Sequence, residues 1–167
     1  MRNESGFTMV ELIVVGAILA ILAAAAIPNF IGWLPEHRLR SAADDINSCF
    51  QLAKLQAVRE NAPVTIQVDA ATDTLTVFMD DGNGGGSAEN RVREGDEQAF
   101  KIVQMPNGID LTANRTWFGY DGRGRPLGAQ IGSTFLVNSR GSTLGVRTNF
   151  TGYPRYIVKV GSDWVLK

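Results

Sequence analysis

The sequence predicts an α+β fold in which a long N-terminal helix packs on an antiparallel, β-rich head. Three features carry that expectation. From Leu12 to Leu34, 23 consecutive residues bear no charge. From Pro35 to about Asn61, apolar residues recur at three- and four-residue steps. After Ala62-Pro63 the rhythm changes to short runs that alternate apolar and polar between turn residues. Strands that follow a helix, instead of alternating with helices, argue for antiparallel pairing.

The uncharged run is long enough to matter by itself. As helix it spans about 35 Å, more than the ~30 Å of a bilayer's hydrocarbon core. A cleaved signal peptide and a buried core helix are the alternatives. Ala23–Ala26 offer small residues for a signal cleavage site, but Arg2 followed by Glu4 makes a poor positive start. A core helix of that length would leave little in a 167-residue chain to cover it. Membrane insertion is the reading these points favour. Pro28 predicts a bend or local melt near Ala24–Pro28, because its ring removes one backbone hydrogen bond and crowds the preceding turn. Pro35 predicts either a second break after Trp33-Leu34 or the first turn of a new helix.

The stem then reads as residues 35–61. Leu39, Ala42, Ala43, Ile46, Cys49, Phe50, Ala53 and Ala57 form the apolar stripe, with Arg38, Arg40, Asp44, Asp45, Lys54, Arg59 and Glu60 left for the outer face. Cys49, on that stripe, reads as a small core residue and not as a reactive thiol. In the head, residues 62–167, Val64, Ile66 and Val68 mark a strand, 69–73 a turn, and Leu75–Met79 the returning strand. Further strands are expected at 100–105, 116–120, 134–137, 144–148, 156–160 and 164–166.

Glu11 is the anomaly. A carboxylate one turn into a membrane helix costs about 2.5–3.5 kcal/mol even on lenient scales, so it needs a partner. No base follows before His37 and Arg38. The best candidate is an α-amino group created by cutting between Gly6 and Phe7, on the same or a neighbouring chain. The alternatives are a carboxyl at headgroup depth or one that is protonated.

Gly6-Phe7-Thr8-Met9-Val10-Glu11, the apolar run and Ile27-Pro28 resemble the N-terminal signal of type IV pilins and type II secretion pseudopilins. The resemblance implies a leader of residues 1–6, removed after Gly6 by a prepilin peptidase that also methylates the amine of Phe7. It implies a transmembrane helix over residues 7–34, a role in subunit assembly for Glu11, and a kink at Pro28. Leu52–Ala57, Asn61–Ile66, Phe118–Gly122 and Asn149–Gly152 are similar to the GspH/FimT-type minor subunits. The partners so implied are other pilin or pseudopilin subunits, the peptidase and the lipid of a bacterial inner membrane. The protein would then be single-pass, with its head in the periplasm. Absence of a C-terminal cysteine pair favours a minor subunit over a major one.

The head's charge is uneven. Residues 35–106 carry a net −5 and residues 107–167 a net +5. Gly122-Arg123-Gly124-Arg125 is a compact basic motif in the second part, where guanidinium forks beside glycine can reach phosphates. It resembles the Gly-Arg-x-Arg element of DNA-uptake minor pilins, whose place nearer the end is held here by Gly152-Tyr153-Pro154-Arg155. DNA binding through Arg123, Arg125 and Arg155 is therefore the alternative function. The plainer reading of those arginines is solvated turn residues or contacts to other subunits.

Chemistry of other kinds finds little support. Residues 80–86 and Glu89 place oxygen donors among glycines, but without EF-hand spacing, and read as an acidic loop. No P-loop pattern is present. One cysteine and one histidine leave no set for a Cys-based zinc site, a disulfide framework or histidine catalysis. The expectation is a structural subunit with no enzymatic activity, no metal and no cofactor, built into a type II secretion pseudopilus or a type IV pilus.

Overall fold

The computed structural model describes residues 7–82, 87, 89–94, 96–129, 132–160 and 162–166. The chain divides after Pro35 into two units, and one helix, α1 (Met9–Glu60), supplies residues to both. Neither Pro28 nor Pro35 ends that helix. A proline removes one hydrogen bond, but the strong helix formers Ala23–Ala26 precede the first proline, and the bonds on either side carry the backbone through it. The expected local melt, and the expected break before Pro35, are therefore absent from the helix assignment.

In the first unit the helix is apolar on every side and exposed on every side. Leu12, Leu19, Ile21 and Leu22 all keep 60% or more of their surface, and nothing between Met9 and Ile27 is buried. An all-round apolar helix satisfies its backbone internally but leaves its side chains in need of lipid or other helices.

The second unit, residues 36–167, holds the core. Among the described residues nine strands form two antiparallel sheets, with order β3-β2-β1-β5 in one and β4-β6-β7-β8-β9 in the other. Their spans are β1 Val64–Asp69, β2 Thr74–Met79, β3 Ala99–Gln104, β4 Ile109–Ala113, β5 Trp117–Tyr120, β6 Gly132–Asn138, β7 Thr143–Thr148, β8 Pro154–Val160 and β9 Asp163–Leu166. Eight match the expected runs within two residues. The ninth, β4, is a short strand in which Ile109 and Leu111 alternate with Asp110 and Thr112, five residues whose pattern hardly rises above that of a turn.

The predicted stripe of α1 is the centre of the core. Leu39, Ala42, Ala43, Ile46, Cys49, Phe50, Ala53 and Ala57 are buried among Val64, Ile66, Leu75 and Val77 of one sheet and Leu111, Leu136 and Val146 of the other. The run of small residues lets the helix axis approach the sheets closely, and Phe50 fills the gap that remains. Its ring meets Phe118 edge-on with centroids 5.1 Å apart. Each fully buried side chain of this size contributes about 1.5–3 kcal/mol.

Strand periodicity places other residues on the opposite faces. On the first sheet Thr65 pairs with Phe78, and both are buried away from α1. On the second, Phe135, Gly145 and Ile157 lie in one cross-strand row. Trp164 packs on Phe135 at 4.6 Å between ring centroids and covers it.

Candidate functional site

The first candidate site is the start of α1. Thr8 is its N-cap: the Thr8 carbonyl accepts from the Leu12 amide at 3.2 Å, and the Thr8 hydroxyl accepts from the Glu11 amide at 3.2 Å. Glu11 reaches back, its Oε2 accepting from the Thr8 amide and the Thr8 hydroxyl, each at 2.9 Å. Thr8-Met9-Val10-Glu11 is thus a capping box, which satisfies orphan donors of the first turn and sets a carboxylate against the positive end of the helix. Sequence reasoning sought a cation for Glu11 and overlooked this partner three residues away, although the T-x-x-E spacing announces it. Among the described residues Oε1 of Glu11 receives no hydrogen bond, so one oxygen is left for a further donor.

Of the other expected processing residues, Gly6 lies outside the described residues. Phe7 is 87% exposed immediately before the cap, and Pro28 lies within α1.

The basic motif is a turn organised by an acid. Asp121 Oδ1 accepts from the amides of Arg123 (3.0 Å) and Arg125 (2.8 Å). Its Oδ2 takes the Arg125 side chain at Nε (2.9 Å) and at NH2 (2.8 Å). Burial alone would raise the Asp121 carboxyl, but these bonds and the Arg125 charge outweigh it and hold it below the usual range. Gly124 closes the turn at φ +73, a left-handed conformation that a side chain would strain. Arg123 is exposed and Arg125 is spent within its own turn. Arg155 stands on β8 directly opposite Arg147, whose Nε donates to Ser133 at 3.1 Å. Like charges paired across strands weaken a sheet slightly. Nothing in this geometry favours nucleic acid over solvated and internally paired arginines.

The acidic excursion is structural at its two ends. Asp80 is fully buried and accepts from Thr65 Oγ1 and from the Arg91 amide, each at 2.9 Å. Glu97, 1% exposed, accepts from the amides of Gly82 (3.2 Å) and Glu94 (2.8 Å). The Arg91 guanidinium then lies 4.3 Å from the centre of the Trp117 ring, fastening the excursion to β5. Residues 83–86 of the calcium-like segment lie outside the described residues. Among those described, no three His, Cys, Asp or Glu side chains come together as a metal set.

At the start of the second unit, Glu36 accepts from the hydroxyl of Ser142 and from Asn138 Nδ2 (3.1 Å). Those two bonds hold its carboxyl below the ordinary range. They tie the helix to the β6–β7 turn, which Asn138 itself closes by accepting from the Arg140 and Ser142 amides. Cys49 is wholly buried, and burial pushes its thiol up to about 11. It is a core residue, as its place on the stripe predicted.

The exposed apolar stretch Met9–Ile27 with a capped carboxylate in its first turn, and a second unit of two antiparallel sheets packed on the stripe from Leu39 to Ala57, define a pilin-like fold. Residues 42–152 match the family described as Type II transport protein GspH, and residues 1–27 match the prokaryotic N-terminal methylation motif. The chain belongs to the GspH family of minor pilins and pseudopilins.

Among relatives, it is 61% identical over 31 residues to the type IV wide pilus major component PilA4 of Thermus thermophilus, covering 19% of this chain and 24% of that protein. The chain thus spans about a quarter of that relative's length. It is 28% identical over 110 residues to a fimbrial protein of Pseudomonas aeruginosa, covering 62% of this chain and 68% of that one. Two solved structures share the fold. The minor pilin FimU of Pseudomonas aeruginosa has a TM-score of 0.56 at 13% identity, covering 78% of this chain and 94% of that one. The minor pseudopilin EpsH of Vibrio cholerae has a TM-score of 0.55 at 11% identity, covering 72% and 97%.

Proposed function

We propose that this minor pilin or pseudopilin is cut after Gly6 by a prepilin peptidase, methylated at Phe7 and held in a bacterial inner membrane by residues 7–34. Its head faces the periplasm, and the chain leaves the membrane by packing its apolar helix against those of neighbouring subunits. The observation that carries this reading is Glu11, a carboxylate opening the apolar, exposed stretch Met9–Ile27 of α1, with one oxygen turned to its own helix cap and, among the described residues, no donor at the other. The cation that cleavage creates at Phe7 supplies the missing donor, within the chain or from the next subunit, and fixes the axial register of the helices. Mutual burial of Leu12–Ile27 then replaces lipid contact.

Glu11→Val tests the assembly role. The variant is cleaved normally, as intact mass shows, but is lost from sheared filaments; normal recovery in filaments refutes the role. Gly6→Leu leaves uncut precursor in the membrane, and a mature-length product from that variant refutes the cleavage position.

A further inference from the structure

The outer face of the stem, which the sequence assigns to polar residues, is not wholly polar. Leu55 and Val58 lie three apart on α1 and are 69% and 53% exposed. With Tyr153 and Pro154, where the chain enters β8, they wall an open groove of about 550 Å³. Among the described residues its charged lining is Lys54 and Arg59, with no carboxylate. Arg59 meets the exposed carboxylate of Glu60 at 3.5 Å, a contact of little worth in water.

The groove is built, not incidental. Lys54 Nζ donates to the Thr151 carbonyl at 3.0 Å and sits 3.6 Å above the centre of the Tyr153 ring, which fixes the aromatic wall. Asn149 Oδ1 accepts from the amides of Thr151 (3.1 Å) and Tyr153 (3.0 Å). The buried Tyr120 hydroxyl holds the Gly152 carbonyl at 2.7 Å. A wall already held in place loses little freedom on binding, so more of the contact energy reaches the affinity.

We propose that this groove docks a neighbouring filament subunit through an aliphatic or aromatic side chain flanked by carboxylates. The apolar walls select a buried hydrophobic anchor, and the cationic rim of Lys54 and Arg59 selects acidic flanks. A polyanion such as nucleic acid would gain nothing from Leu55, Val58 and Pro154. The proposal rests on filament membership and adds to it the chemistry of one contact.

The test places a photoactivatable benzophenone side chain at Leu55 of the full chain, irradiates sheared filaments and sequences the adduct by mass spectrometry. The expected product joins residue 55 to an apolar residue of another subunit with Asp or Glu within three positions. Its yield is at least fivefold above that of the same probe at Ile102, exposed on β3. A yield at Leu55 no higher than at Ile102, an adduct to a segment without acids, or an adduct to nucleic acid overturns the proposal. As a second measurement, Leu55→Lys and Arg59→Glu each lower the incorporated fraction about tenfold at an unchanged membrane level, and unchanged incorporation of both also overturns it. A chain that never enters filaments defeats this proposal and the assembly reading together. A chain that enters them with Leu55 unlinked defeats this one only.

Discussion

The Tyr120 hydroxyl donates to the Gly152 carbonyl at 2.7 Å, across 32 residues of sequence. Tyr120 closes β5, at the edge of one sheet, and Gly152 lies in the turn between β7 and β8 of the other. The bond fastens the two sheets at a place where both partners are buried. Gly152 adopts φ +76, and a Cβ there would stand 2.6 Å from Tyr120 Cε1, so the ring can reach the carbonyl only past a glycine.

Tyr120→Phe is therefore expected to keep the ring packing and orphan the Gly152 carbonyl, at about 1–3 kcal/mol. Thermal or urea unfolding at neutral pH measures it. Gly152→Ala should cost at least as much, through the contact with the ring.

Phe50 offers a larger effect. It is wholly buried on the inner face of the stem against Phe118, so Phe50→Ala should destabilise by about 3–5 kcal/mol. The same unfolding measurements read it against Leu55→Ala, whose exposed side chain should change stability by about 0.5 kcal/mol or less.

The capping box separates two duties of Glu11. Glutamine also serves in such a box, so Glu11→Gln should keep the slow amide exchange of the first helical turn in detergent micelles while removing the charge. Thr8→Val should speed that exchange, since losing an N-cap costs about 1 kcal/mol. If assembly needs the charge, Glu11→Gln fails to enter filaments with its helix start intact.

Acid should weaken the head through Glu36 and Asp121. Hydrogen bonds hold both carboxyls below their ordinary values. A group whose pKa is lower in the folded state adds stability above its unfolded pKa and loses it as the pH falls through the folded one. The loss therefore sets in as the pH falls into the ordinary carboxylate range and deepens below it. Thermal midpoints taken from pH 7 to pH 3 should fall less steeply in Glu36→Gln than in the parent chain.

Cys49 should resist alkylation in the folded protein at pH 8. Its thiol is buried and pushed up to about 11, so both access and thiolate are lacking. Rapid labelling in denaturant with none before it is the expected pattern.

Much of the architecture was legible because it rests on local periodicity. The step of three and four from Leu39 to Ala57 marked the buried face of α1, and alternation marked eight of nine strands. β4 escaped because five residues of weak alternation hardly stand out from a turn. The local melt expected at Pro28, and the break that was one of two expectations at Pro35, are absent from the helix, since the penalty of one proline was weighed without the helix formers beside it. At the candidate site, the spacing of Glu11 from Gly6 and Phe7 could be seen, while its cap on Thr8 was present in the letters and missed.

By itself, the order of residues determined an uncharged apolar run just after one acid, a stem with one apolar face and a head of strands. Each follows from interactions between residues a few positions apart. Tertiary structure alone decided that Asp80 meets Thr65, that Glu36 meets Asn138 and Ser142, and that Lys54 and Tyr153 shape an apolar groove beside Leu55. Such pairings depend on which distant segments folding brings within 3 or 4 Å. Hydrogen bonds and ring contacts act only at that range, and linear spacing carries no measure of it.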